Sequence, residues 1–196
     1  KISNTNIITV DNASAGLMTS GAGSLALNSG TITAGTGSQG IYLKDGDYVR
    51  NTGNILSAGA GTVGIYANNT ASHVTNSGNI DLSGDKSIGI YSIGTIPQNI
   101  NNTGTLKIGD SVIVDPLNPF ANSYAVGLYG ENVQGMKNTG NIEIGADAVG
   151  FYANKSGTEA LNTGNITSNS NKTIGIYLEG SVIRNTGDIT LSGDNS

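Results

Sequence analysis

The sequence predicts an all-β fold, namely a parallel β-helix (β-solenoid) of about eight coils, with about 24 residues and three short strands in each coil. Three observations lead to this prediction. A motif of the type Asn-Thr-Gly-Asn-Ile recurs along the chain, a motif of the type Gly-Ile-Tyr follows it once per period, and apolar residues alternate with polar ones between turns rich in Gly, Asn and Ser. Strands of about four to six residues fill such a period and leave no length for a helix.

The first motif sets the length of the repeat. Its copies begin at Asn28, Asn51, Asn76, Asn102, Asn138, Asn162 and Asn185. The intervals between them are 23, 25, 26, 36, 24 and 23 residues. Such spacing is typical of solenoids, in which each repeat packs only on its neighbours. The sequence therefore predicts one elongated domain over residues 1–196, with a degraded first coil before Asn28.

The second motif predicts a strand that ends in a tyrosine. Its tyrosines are Tyr42, Tyr66, Tyr91, Tyr129, Tyr152 and Tyr177. In Val63-Gly64-Ile65-Tyr66, simple alternation predicts that Val63 and Ile65 face the core, which puts Gly64 and Tyr66 outside. An apolar residue two places before each motif asparagine, such as Val49, predicts a third short strand that leads into the next asparagine.

Equivalent positions of successive coils are expected to form columns along the rod. The leading asparagines are expected to bond to one another as a ladder of side-chain amides. Asparagine also tolerates the left-handed backbone conformation of a tight corner, and the glycine two places later relieves it further. Another column contains Asp81, Lys107 and Glu143, so Lys107 is expected between two carboxylates. Such exposed pairs contribute about 0.2–1 kcal/mol each, which favours the register without holding the fold.

One coil is longer than the others. Gly127 follows Asn102 by 25 positions, whereas Gly64 follows Asn51 by 13. The extra residues lie near 110–124, and a solenoid expels an insertion as a loop on one face, where binding sites are common. The candidate partner-binding residues in this inserted loop are Asp115, Pro116, Leu117, Asn118, Pro119, Phe120 and Tyr124.

The tyrosine column is the second candidate for partner binding, with Tyr91, Tyr129 and Tyr152 as its candidate residues. Outward aromatic rows can stack on sugar rings or dock a protein, because tyrosine offers a flat face and a hydroxyl. The alternative is that the stacked rings cover the strand backbone and fix the register. The even distribution of the column over the coils favours this alternative, since a specific site is usually present once.

Composition and charge exclude several classes of partner and site. The formal net charge is −5 and the nine Lys and Arg residues are scattered, which argues against nucleic acid or an anionic membrane as a partner. The absence of cysteine excludes disulfides and thiolate metal sites. No apolar run is long enough to cross a membrane, so direct membrane insertion of this segment is not expected.

Catalysis is the main chemical alternative, because β-helices include polysaccharide lyases and hydrolases. Their sites need two or three acidic residues converging on one face. Asp85 and Asp110 occupy comparable turns of adjacent coils and could approach each other, together with Asp147, but solvated turn residues are the favoured interpretation. His73 is the single histidine and is interpreted as a surface residue. We therefore predict no enzyme, no catalytic residue, no cofactor and no metal ligand.

Tandem Asn-Thr-Gly-Asn-Ile with Gly-Ile-Tyr at a period of about 24 residues resembles the passengers of type V autotransporters, especially the large fusobacterial outer-membrane autotransporter adhesins. The resemblance covers about residues 28–194. It implies a right-handed parallel β-helix, displayed on the cell surface by a C-terminal β-barrel that lies outside this sequence. Since the sequence begins and ends within a repeat, we expect it to be a fragment of a longer passenger.

The resemblance also implies a function. The segment is expected to be extracellular, anchored in the bacterial outer membrane through the missing C-terminal region, and to mediate or support attachment to other bacteria or host cells. Its expected partner is a surface protein or glycan. Two alternatives remain at this point: a structural spacer rod without its own ligand, and a polysaccharide-processing β-helix enzyme.

Overall fold

The computed structural model describes residues 1–68, 73–94, 99–113, 122–154 and 159–196. Within these ranges the chain forms 23 strands in three parallel sheets and no helix, so the described part contains no helix able to span a membrane. Every third strand along the chain joins the same sheet, because successive coils stack directly on one another. The predicted parallel β-helix is confirmed, with about seven complete turns and two strands of a further one.

The strands are numbered β1 to β23 along the chain, and the sheets are numbered by the order in which the first coil enters them. Sheet 1 contains β1 (Ile2–Asn4), β4 (Leu25–Asn28), β7 (Tyr48–Asn51), β10 (His73–Asn76), β13 (Asn99–Asn102), β16 (Gly135–Asn138), β19 (Glu159–Asn162) and β22 (Val182–Asn185). Sheet 2 contains β2 (Ile7–Val10), β5 (Thr31–Ala34), β8 (Asn54–Ser57), β11 (Asn79–Leu82), β14 (Thr105–Ile108), β17 (Asn141–Ile144), β20 (Asn165–Ser168) and β23 (Ile189–Leu191). Sheet 3 contains β3 (Ala15–Ser20), β6 (Gln39–Lys44), β9 (Val63–Asn68), β12 (Ile88–Ile93), β15 (Val126–Glu131), β18 (Val149–Asn154) and β21 (Ile174–Glu179).

A ladder of asparagine side chains joins the coils at the corner between sheets 1 and 2, as the sequence predicts. In the described chain the side-chain nitrogen of each asparagine donates to the side-chain oxygen of the next, at 2.7–2.9 Å. The same nitrogen donates to the backbone carbonyl two residues later, at 3.0–3.3 Å. The ladder consists of Asn4, Asn28, Asn51, Asn76, Asn102, Asn138, Asn162 and Asn185. All but the last are buried, so these amides are satisfied by one another rather than by water.

The predicted reason for the glycine of this motif is wrong. Neither the ladder asparagines nor the glycines that follow them are among the described residues with positive φ. A Cβ on Gly53 or Gly78 would instead overlap the carbonyl oxygen of the equivalent glycine in the preceding coil, Gly30 or Gly53. Glycine is therefore required because the corners stack backbone on backbone, and not because of its freedom in φ.

Left-handed backbone occurs at the other corners. At the corner between sheets 2 and 3, positive φ recurs at Ala13, Gly37, Gly61, Lys86, Asp147, Lys172 and Asn195. These residues share a position but no chemistry, so the repeat fixes the backbone geometry here without fixing a residue type. Ser111 is the equivalent residue of the inserted coil: its N–H donates to the carbonyl of Ala146, just as the N–H of Lys86 donates to the carbonyl of Asp110. Unlike the others, Ser111 does not have a positive φ.

The strands of sheet 3 differ from the prediction in two ways. The pairing runs from Ile88 to Val63 and from Ile90 to Ile65, and it passes over the glycine between them. A Cβ on Gly64 would meet the core side chain of Ile80, so the glycine faces inward, and half-buried Val63 shares the outer face with tyrosine. The strands also continue for two residues beyond the tyrosine, as in β9. The outer face of sheet 3 is therefore wider and more apolar than alternation predicts.

The core is a stack of aliphatic side chains inside the three sheets. Each complete coil places about one large apolar residue from each sheet in it, such as Val49, Ile55 and Ile65, which are fully buried. Phe151 is the one buried aromatic residue in the described core. On the outer face of sheet 2, Lys107 pairs in register with Asp81 and Glu143 as predicted, and its ammonium lies 3.4 Å from the Glu143 carboxylate.

Replacing Asn102 by alanine should lower the free energy of unfolding by about 3 kcal/mol, because it breaks the ladder and leaves buried polar groups without partners. Urea unfolding followed by circular dichroism measures the change. The matched control is Asn141→Ala, at an exposed position on sheet 2, for which a change within about 0.5 kcal/mol is expected. Equal losses in the two variants would show that the ladder does not contribute to stability.

Candidate functional site

Six tyrosines form a row on the outer face of sheet 3, as the second motif predicts. Parallel pairing sets them in register, and neighbouring ring centroids lie 4.6–5.1 Å apart. The row consists of Tyr42, Tyr66, Tyr91, Tyr129, Tyr152 and Tyr177. Because each ring packs against the next, much of the aromatic surface is covered within the row itself.

The row is divided into two blocks. Tyr42, Tyr66 and Tyr91, the N-terminal block, stack with interplanar angles of 5° and 17°. The other three tyrosines, the C-terminal block, stack with angles of 18° and 5°. Between the blocks, the rings of Tyr91 and Tyr129 meet at 88°. This break falls between β12 and β15, which the inserted coil separates, so the evenness predicted for the column ends there.

The described base of the inserted loop is a pair of antiparallel segments. Val112 and Ser123 exchange two backbone hydrogen bonds, at 2.9 and 3.1 Å. The Ser111 hydroxyl oxygen accepts the N–H of Ala125, at 2.8 Å, and so ties the end of the insertion to the corner from which it departs. Of the predicted partner-binding residues, Tyr124 is described. Asp115, Pro116, Leu117, Asn118, Pro119 and Phe120 lie outside the described residues, and their role remains a prediction.

A groove of about 410 Å³ lies on the C-terminal block, and it is called the sheet-3 groove below. Its lining residues are Tyr124, Val126, Tyr129, Val149, Tyr152, Ile174 and Tyr177. Tyr124, Tyr129 and Tyr152 are thus brought together, whereas Tyr91 belongs to the other block. The valines and isoleucine line it because the glycine after each one takes the inward position. Another depression, of about 350 Å³, lies near Lys1. It is lined largely by residues of the corner motif that every coil repeats, so it is a weaker candidate for a specific binding site.

Two carboxylates lie beside the groove, and sequence reasoning missed both. Glu131 and Glu179 are the last residues of β15 and β21, two places after a tyrosine and hence on the same face. The Tyr129 hydroxyl donates to Oε2 of Glu131, at 3.2 Å. The Tyr152 hydroxyl donates to Oε2 of Glu179 in the next coil, at 3.1 Å. The Tyr-x-Glu spacing of Tyr129 and Glu131 could have indicated these carboxylates, since residues two apart in a strand share a face. The prediction that the strand ends at tyrosine left the glutamates outside it.

Two of the tyrosine hydroxyls of the groove, those of Tyr129 and Tyr152, have a raised pKa. Burial is the largest cause that raises the pKa of Tyr152 to about 12, and the hydrogen bond and negative charge of Glu179 add to it. Burial also raises the pKa of Tyr129, followed by the charge of Glu131. The hydroxyls therefore remain donors to the carboxylates, whose negative charge is held at the edge of an apolar surface.

One of the carboxylates considered for catalysis, that of Asp110, has a structural role. Oδ1 of Asp110 accepts the backbone N–H of Ala146 in the next coil, at 2.7 Å, so this side chain caps a corner. Asn12 and Asn171 make the same contact at equivalent corners. His73 is an exposed residue at the start of β10 in sheet 1, and its Nδ1 is 3.4 Å from the Asn99 side-chain amide. Among the described residues, no group of three or more His, Cys, Asp or Glu is placed to hold a metal ion.

Comparison with known proteins places this arrangement in a family. A family model described as the BigA third pectate lyase-like domain matches residues 36–174, well over half of the chain. The chain belongs to this family. Membership in the BigA-type family supports a surface-exposed, autotransporter-like adhesin passenger of a bacterium. The match includes all of β6–β20, and hence the whole N-terminal tyrosine block and Tyr129 and Tyr152 of the C-terminal block. Neither a curated protein nor a solved structure matches the chain.

Replacing Glu179 by glutamine should lower the pKa of Tyr152 from about 12 toward the ordinary tyrosine value, because the variant removes the adjacent negative charge. The ring-carbon NMR signals of labelled tyrosine, followed from neutral to alkaline pH, report the change. Glu143→Gln, on the outer face of sheet 2, is the control and should leave the Tyr152 titration unchanged. An unchanged pKa in Glu179→Gln would contradict the contact.

Proposed function

We propose that this segment contributes directly to the attachment of a bacterium to other bacteria or host cells, and that the sheet-3 groove is its contact surface. The family supports the setting, which is an adhesin-type passenger exposed at the bacterial surface. The groove carries the proposal, because it is an apolar, partly open surface that includes Tyr124 and Tyr177 at 44% and 45% exposure. Such surfaces mark protein or ligand contacts more often than scattered exposed residues do.

The position of the groove supports this choice. The asparagine ladder, the core and most of the outer columns repeat evenly, and even features serve the stacking of coils. The groove lies where the repeat is interrupted: the tyrosine row changes orientation, the insertion leaves the rod, and Tyr124 from the end of that insertion joins the lining. The inserted loop residues 115–120 are part of the same proposal as an additional contact.

The finer expectations about this protein belong to the same proposal. They are the likeness to fusobacterial adhesins, anchoring in the outer membrane through a C-terminal region, a surface protein or glycan as the partner, and the lack of enzymatic activity. The proposed role of the groove carboxylates is binding rather than catalysis, since each accepts a tyrosine hydroxyl. New reducing ends released from a glycan panel by the purified chain would overturn the assignment as a non-enzyme.

A spacer rod is the second candidate function. The ladder of seven hydrogen bonds in the described chain and the continuous aliphatic core favour it, because both suit a stiff element about 34 Å long, at about 4.8 Å for each coil. The two functions are compatible in architecture and differ in one respect. A spacer has no surface whose substitution changes attachment while the rod stays folded.

Replacing both Tyr129 and Tyr152 by serine should reduce attachment about tenfold when bacteria display the full-length surface protein. The reason is that the two substitutions remove two aromatic rings from the apolar lining of the groove. Adherent cells are counted on host cells and on a bacterial lawn. The matched control is the double variant Tyr42→Ser and Tyr66→Ser, at the same column in the N-terminal block. The control should attach like the parent.

A deletion separates the groove from the inserted loop. Replacing residues 114–121 by a short Gly-Ser linker keeps the paired base at Val112 and Ser123 and removes the predicted loop contacts. A loss of attachment would show that the loop contacts the partner, and full attachment would contradict the proposal that residues 115–120 form an additional contact. If the groove variant, the control and the deletion all attach like the parent while folding normally, the spacer function is correct.

A further inference from the structure

We propose that the sheet-3 groove takes a lysine- or arginine-bearing segment of a partner protein, with the aliphatic part of the basic side chain on the apolar lining and its cationic head at Glu131 and Glu179. This inference rests on the proposed function and names the chemistry of its partner. Lysine and arginine combine an apolar stem with a charged end, and they commonly lie along apolar surface while the charge reaches a polar edge.

The lining of the groove fits the stem. All seven of its residues are uncharged and apolar or aromatic. Val126 and Val149, at 5% and 8% exposure, form the floor, and Ile174, at 43%, leaves one part of it open. The valine and tyrosine columns are parallel and repeat with each coil, so they form a straight apolar strip along the rod.

The edge of the groove fits the head. The tyrosine hydroxyls donate to Oε2 of Glu131 and of Glu179, and no ion pair within 4.0 Å joins either carboxylate to a cation among the residues described. Asn154 lies between the two in the paired register, and its buried Oδ1 has no hydrogen-bond partner. The edge therefore carries two negative charges that have no cationic partner among the described residues, and a cation can supply one.

The negative charge is local to this block. The same column contains Lys44 and Asn68 beside the N-terminal block, and Glu131, Asn154 and Glu179 beside the C-terminal block. Only the block with the groove thus presents a column without a basic side chain. Complementary charge favours encounter and rejects acidic partners, which makes a cationic segment the occupant that this edge selects.

The geometry favours a basic peptide over a glycan. Sugar rings bind tyrosine through the open face of the aromatic ring, whereas Tyr129, Tyr152 and Tyr177 lie against one another, with centroids 4.7 and 5.1 Å apart and nearly parallel planes. Two of their hydroxyls are also engaged with carboxylates. An aliphatic stem needs neither an open ring face nor a free hydroxyl, so the covered row suits it.

Labelled nine-residue peptides that alternate serine with a single variable residue test the proposal on the purified chain. The variable residue is lysine, norleucine, which keeps the stem without the charge, or diaminobutyrate, which keeps the charge on a shorter stem. The lysine peptide should shift the methyl NMR signals of Val126, Val149 and Ile174. The other two peptides should bind about tenfold more weakly, because each lacks one of the two contacts.

The double variant Glu131→Gln and Glu179→Gln should weaken lysine-peptide binding about tenfold and flatten its salt dependence, with circular dichroism and thermal unfolding confirming the fold. Asp81→Asn with Glu143→Gln, on sheet 2, is the charge-matched control and should bind like the parent. Equal binding of the three peptides, unchanged binding in the groove variant, or methyl shifts with neutral oligosaccharides alone would overturn the inference.

Attachment by the same variants separates this inference from the proposed function. If the tyrosine variant loses attachment and the glutamine variant keeps it, the groove is the contact surface and its partner is not basic, so the inference fails alone. If both variants attach like the parent, the proposed function fails as well. Loss in both, with the sheet-2 control unchanged, supports the two proposals together.

Discussion

Each coil is joined to the next by a hydrogen bond between two asparagine side chains, all of them buried except the last, Asn185, and the rest of the structure depends on this contact. A buried amide has donors and acceptors that must be matched, so a coil that slips by one residue leaves several of them unsatisfied. The glycine two residues later allows the corners to stack without a Cβ between them. Together they fix the register at one corner, and the alternation of the strands carries that register to all three sheets.

A fixed register is also what makes an outer surface possible. Once the corners are aligned, each outward position of sheet 3 becomes a column, and the tyrosines and valines lie in straight rows without a dedicated fold for binding. The insertion does not disturb the ladder, because Asn102 and Asn138 still bond at 2.7 Å across their interval of 36 residues. It changes instead the surface that follows it, where the tyrosine row turns and the groove forms. The coils thus differ on the outer surface, whereas the ladder and the core continue from coil to coil.

Much of this fold could be predicted from the sequence, since the repeat itself records the period, the strands, the ladder and the charge column at Lys107. The errors have physical causes. Alternation fails around Gly64 because a glycine can face a core too tight for a side chain, which turns Val63 outward. Residues such as Ala13 and Lys86 adopt positive φ because the corner requires it, without a residue preference to reveal it. The groove begins where the ring of Tyr129 turns by 88° from that of Tyr91, and no spacing in the sequence encodes a side-chain orientation.

Hydrogen exchange of the asparagine side-chain amides tests the central claim most directly, because it observes the ladder without altering it. Resolved side-chain NH2 signals of Asn51, Asn76, Asn102 and Asn138 should exchange with deuterated water at least about a hundredfold more slowly than that of exposed Asn141, since buried and bonded amides exchange only when the coils separate. Uniform protection along the ladder would show that the coils are held in one register by this contact. Exchange of these amides as fast as that of Asn141 would contradict the account.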